Sequence, residues 1–124
     1  MSERKTIDSS LAILDPVPME EAFGEIDDMA LETYDLFISS TEPLLADIGR
    51  QLGAGDTAAA SEIAHSAKGA ARMTGAFRLA GVCSHIESLS KAGNAAEALE
   101  WLALVPEAFE EVKRAIEQVK VAHA

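Results

Sequence analysis

Basic residues, aromatic residues and cysteine are all scarce in this chain. Its 124 residues hold 10 Lys and Arg against 21 Asp and Glu, a formal net charge of −11. That balance argues against nucleic acid and against anionic membranes as partners, since both would be repelled. Aromatic residues make up only 5% of the sequence, so the core must come from aliphatic side chains and the many alanines. Such a core suits helices packed close together. Cys83 is the only cysteine, which rules out an intrachain disulfide and points to a reducing compartment. No apolar run approaches the ~18 residues of a membrane span, and residues 1–10 lack the apolar centre of a secretion signal. The expectation is one cytoplasmic domain, long enough to bury a core without metal or disulfide support.

Acidic residues, abundant overall, are missing from one stretch. Between Ile63 and Ile86 there is no Asp or Glu, while Lys68, Arg72 and Arg78 all fall inside it. This is a short positive island in an acidic protein.

Periodicity gives the architecture. Residues 1–18 contain Pro16 and Pro18 and no sustained period, and are expected to form a flexible lead-in. A short helix is expected over about residues 19–23, ending near Gly24. The next helix begins with Asp27 or Asp28 as N-cap, and its inward stripe is Ala30, Tyr34, Phe37, Thr41, Leu44, Ile48 and Leu52. Pro43 should bend it locally. "GAGD" (53–56) ends that helix with glycine and starts another with Asp56 as cap. The third helix is expected over 57–74, with Gly75 as its stop. Ala59, Ala60, Ile63, Ala67, Ala70 and Thr74 share its inner face. A fourth, over about 77–92, turns Ala80, Cys83, Ile86 and Ser90 inward. The last is expected to run from 95 to 121, kinked at Pro106, with Ala98, Leu102, Val105, Phe109, Val112, Ile116 and Val119 as a heptad seam. Four long helices joined by short glycine-containing turns predict an all-α fold, an antiparallel up-down four-helix bundle with a short additional N-terminal helix. The expected domain spans 19–124.

In "AHSAKGAARMTGAF", His65 lies about 200° around the helix from Ile63, on the side away from the core. Lys68, at i+3, can reach an anion held on the imidazole. Gly69, at i+4, costs about 1 kcal/mol relative to alanine in a helix interior. It leaves the backbone bare beside the ring, as clearance for a flat approach by a second protein.

The stretch "AHSAKGAARMTGAFRLAGVCSHIE" resembles the signature of histidine-containing phosphotransfer (HPt) domains: His-x-x-Lys-Gly, a glycine closing the helix about ten residues after the histidine, then a helix opening of the "LA..C..iE" type. "LFISSTEPLLADIGRQLGAGD" is similar to the family's second helix and Gly-Asp turn, so the resemblance spans roughly residues 20–120. Ala67 departs from the pattern, where the family usually has a larger apolar residue. The resemblance implies a phosphorelay intermediate that accepts a phosphoryl group from a receiver-domain aspartate and passes it to another. His65 would be phosphorylated, Lys68 would steady the phosphate, and Glu87, 22 residues further on, would hydrogen-bond the ring. A carboxylate on Nδ1–H fixes the tautomer and frees Nε2 as nucleophile. Gly69, Ser66, Arg72 and Arg78 would form the partner-facing surface, the arginines steering encounter with an acidic receiver pocket. The implied partners are receiver domains of response regulators or of a hybrid histidine kinase. The chain itself, expected to be a monomer, would bind no cofactor, and Mg²⁺ would come with the receiver. Nothing resembles an ATP site, so a phosphotransferase is expected and not a kinase.

Two alternative readings exist. "EIAH" (62–65) is a Glu-x-x-His of the di-iron type, but no second copy exists and both residues should face outward. Cys83, His85 and Glu87 have neither the spacing nor the number of a zinc site. The other alternative is a bundle that binds partners without phosphotransfer.

Overall fold

The computed structural model describes residues 4–123. Residues 1–3, the start of the expected lead-in, and residue 124, the end of the expected domain, lie outside the described residues. The described residues form helices and connecting segments, with no strand among them: α1 (Val17–Phe23), α2 (Asp28–Gly53), α3 (Thr57–Thr74), α4 (Phe77–Lys91), α5 (Ala95–Leu102) and α6 (Val105–Ala122). No helix of the described residues is long and apolar enough to cross a membrane. Side-chain caps start three of them. Asp27 accepts from the Ala30 N–H, Asp56 from Ala59 and Asn94 from Glu97, each satisfying a donor that the first helical turn leaves free.

α3 is the centre of the packing. It lies against both α2 and α4, α4 also packs on α5 and α6, and α1 closes against α2 and α3. Close approach is possible because Ala60, Ala64, Ala67 and Ala71 on α3 are all fully buried. That stripe is rotated from the expected one: Ala59, Ile63 and Ala70 sit at its margins. A helix with neighbours on two sides centres its buried face between them, which the identity of small residues does not specify. On α2 the expected stripe holds except that Leu45, not Leu44, is buried. The helix continues through Pro43, which is exposed. On α4 the expected Ala80, Cys83, Ile86 and Ser90 are buried, joined by Leu79 and Val82.

The expected final helix is two helices. Ala103 and Leu104 separate α5 from α6, and Pro106 falls in the first turn of α6. Inside a continuous helix the proline ring would clash with the carbonyl of residue 102. Restarting the helix puts it where no N–H is required.

The flexible lead-in also needs correction, because residues 5–15 are strapped onto the bundle. Lys5 pairs with Glu97 at 2.7 Å. Arg78 donates from Nε to the Leu11 carbonyl at 2.7 Å, from Nη2 to the Ser9 carbonyl at 3.0 Å and from Nη1 to Glu111 at 3.3 Å. Its backbone N–H donates to Ala12, and the Asp15 N–H donates to Gly75. The polar sequence hid this because the anchors are backbone carbonyls. Arg78→Ala is expected to cost about 2 kcal/mol, since it strips partners from half-buried acceptors. Denaturant unfolding would read the loss, and earlier protease cutting within 5–15 would locate it.

Gly75 closes α3 at φ 95°, in the left-handed region. A Cβ there would land on the carbonyl oxygen of Asp15. Gly75→Ala therefore combines backbone strain with loss of the strap's anchor, and a drop of about 2 kcal/mol or more is expected in chemical denaturation.

Candidate functional site

α3 and α4 run side by side, joined by the two-residue turn Gly75–Ala76, and the site lies in the groove between them. His65 projects from the middle of α3 with its side chain 69% exposed. From α4, Glu87 reaches across so that its Oε2 lies 2.7 Å from the imidazole Nδ1. Lys68, one turn along α3 from His65, places its ammonium on the other carboxylate oxygen, Oε1. Glu87 and Lys68 are much less exposed than the imidazole, at 19% and 15%. The order is therefore a covered ion pair beneath an open ring. Ser61 fastens the same crossing from below, its hydroxyl donating to the Glu87 backbone carbonyl at 3.2 Å.

The electrostatics decide the tautomer. The hydrogen bond from Lys68 holds the Glu87 carboxyl below its usual range, with a smaller contribution from His65, against the opposing effect of burial. An ionised carboxylate only accepts hydrogen bonds, so the proton must sit on Nδ1. Nε2 then carries the free lone pair and faces solvent. Burial, with the nearby Glu87 charge, pushes the Cys83 thiol up to about 12, well away from the thiolate form. Because the Glu87 carboxyl is more acidic in the folded chain than in the unfolded one, its contribution to stability is complete above the ordinary value of 4.5 and is lost as pH falls below it.

The remaining expected site residues divide. Ser66 is exposed beside His65, its hydroxyl donating to the Glu62 carbonyl at 3.3 Å. Gly69 has open space around it: beyond the helix's own adjacent backbone, a Cβ there would meet none of the described residues within 4 Å. Arg72 is exposed on the last turn of α3. Arg78 is not part of this surface, because its guanidinium is spent on the strap and Glu111. Lys68 lies in the groove beside His65, with its ammonium on the Glu87 carboxylate. His85 stacks flat on Trp101 at 3.8 Å between ring centroids.

Two features escaped the sequence reading. Lys91 lines the groove with Glu62 and His65, and its place one turn after Glu87 was the available signal. Met73, two turns beyond His65, is 77% exposed.

The family model described as "Hpt domain" matches residues 32–121. Among solved structures, the chain is similar to the crystal structure of histidine-containing phosphotransfer protein B (HptB) from Pseudomonas aeruginosa PAO1. The match has 26% identity and a TM-score of 0.81, and covers 89% of this chain and 96% of that one. No curated protein matches by sequence.

Proposed function

Because the chain belongs to the Hpt domain family, whose work is histidine phosphotransfer in a phosphorelay, we propose that His65 is the residue that carries the phosphoryl group. The observation behind this is the 2.7 Å contact between Nδ1 and Glu87 under an exposed ring. It leaves Nε2 as an oriented, open nucleophile, which is what an in-line attack on a receiver's aspartyl phosphate needs. Glu87 orients the ring. Lys68 keeps Glu87 ionised and adds positive charge beside the transferred group. Magnesium and the acceptor carboxylate belong to the receiver domain, and this chain supplies no metal ligand to the step.

In this reading α2, α3, α4 and the α5–α6 pair are the four members of an antiparallel up-down bundle, with α1 as the additional N-terminal helix. Receiver domains of response regulators or of a hybrid kinase dock over His65, Ser66, Gly69 and Arg72. The protein acts as a monomer in the cytoplasm, a setting compatible with the free, buried thiol of Cys83. The test is incubation of the purified chain with a ³²P-labelled receiver and Mg²⁺. Label should move to the chain, survive base and be lost in acid, as a phosphohistidine is. Absence of transfer from a panel of receivers would overturn the reading.

A further inference from the structure

Residues 5–15 are held differently from the rest of the fold. None of them is fully buried, whereas every helix contributes at least one buried side chain. The stretch also precedes residues 32–121, which the family model matches, while the residues that receive it, from Arg78 on α4 to Glu111 on α6, lie inside that range. A segment with few buried apolar contacts and accessible hydrogen bonds opens at a fraction of the free energy that unfolds a core.

The contacts define what the covered face recognises. Arg78 is its centre. The guanidinium holds the Leu11 and Ser9 carbonyls, and the backbone N–H holds that of Ala12. These are main-chain acceptors, which an extended segment of any sequence presents. Side chains are read at two points. Lys5 pairs with Glu97 at 2.7 Å and lies 6.0 Å from the centroid of Trp101, a seat for a cation. Leu11 occupies a notch made by Gly81, where a Cβ would come to 3.0 Å from the leucine Cδ1. A cavity of about 60 Å³ lies between Leu11, Gly81, Val82 and Trp101, so the notch admits a larger aliphatic group.

This face is turned away from the phosphotransfer groove. At 100° per residue, Arg78 and His85 lie about 180° and 200° around α4 from Glu87. A segment seated there leaves His65 open.

We propose that residues 5–15 are a reversible internal ligand, and that an extended segment of a partner protein takes their place on the α4–α5–α6 face. The segment carries the strap's own pattern: a Lys or Arg, then an aliphatic residue six positions on, as Lys5 and Leu11 stand here. Charge selects such a partner over a second copy of this chain, because a net charge of −11 opposes self-association and draws a basic segment toward Glu97. Occupancy of the face does not depend on His65 carrying phosphate.

Two measurements on the full chain test this. Leu11→Asp vacates the notch from the strap side without altering the face. A fluorescent synthetic peptide of residues 4–15 should bind that variant at least about tenfold more tightly than the parent, whose own strap competes. Emission from Trp101, the chain's only tryptophan, should change on binding. Adding Gly81→Leu fills the notch from the other side and should abolish binding. In the parent, hydrogen exchange at low urea should show the Arg78 and Asp15 amides opening independently of denaturant, while amides in the middle of α3 follow global unfolding. Exchange of all of them by global unfolding alone would make the strap a fixed part of the fold and overturn the proposal. Equal peptide binding by the parent and both variants would overturn it too. Dimers of the parent in light scattering, lost in Leu11→Asp, would give the face to a second copy and overturn the choice of partner. No readout here uses a receiver, so a chain that fails to accept phosphate removes the relay reading and leaves this proposal standing.

Discussion

His65→Gln is expected to accept no phosphoryl group from a phosphorylated receiver, while its helical circular dichroism stays that of the parent. Glutamine offers an amide of similar polarity but no nitrogen lone pair able to attack phosphorus. The fold should not notice the change, because the imidazole is 69% exposed and its one bond is to Glu87. Losing an exposed pair of this kind costs no more than about 1 kcal/mol. The measurement is label on the chain after gel separation, beside a thermal melt of the same preparation. Label retained in the variant would take His65 out of the mechanism and direct attention to another nucleophile.

Gly69→Leu is expected to stabilise the protein and nearly abolish transfer, two effects of opposite direction from one side chain. Leucine is a strong helix former, so the isolated helix gains up to about 1 kcal/mol over glycine. Beyond the helix's own adjacent backbone, no described residue lies within 4 Å of where the Cβ would sit, so the first carbon added meets nothing that offsets that gain. The space is open to solvent one turn from His65, where a docking partner must come close to bring its aspartate in line with Nε2. Displacing the phosphoryl group by about an ångström can cost on the order of a hundredfold in rate. Gly69→Ala should show the same pattern in milder form. Rapid-quench transfer assays read the rate and urea unfolding the stability. Parental rates in both variants would mean that the glycine is not kept for a partner.

Local chemistry made most helix boundaries legible. Asp27 and Asp56 cap as their side chains can, and Gly75 stops α3 because its left-handed backbone strains any residue with a Cβ. Wherever two residues far apart compete for one group, the sequence alone was insufficient. Arg78 illustrates this. As a basic residue in an acid-free stretch it reads as a steering charge, yet its guanidinium satisfies the Ser9 and Leu11 carbonyls. Backbone acceptors carry no sequence signal, so neither the strap nor its clamp could be foreseen. Pro106 illustrates a different limit. A helix-breaking residue was evident, but a kink and a restart differ only in how the flanking helices pack.

The sequence by itself determined the helical class, the position of His65 on the outward side of α3, and the bare backbone at Gly69, because these follow from a period of 3.6 residues and from side-chain size. Tertiary structure alone decided the centring of α3's buried face, the division of the last helix, the docking of residues 5–15, and the sharing of Glu87 between His65 and Lys68. Each of these depends on which surfaces meet across helices. The direction of an ion pair is set by that meeting and by the water it excludes, and no spacing along the chain encodes it.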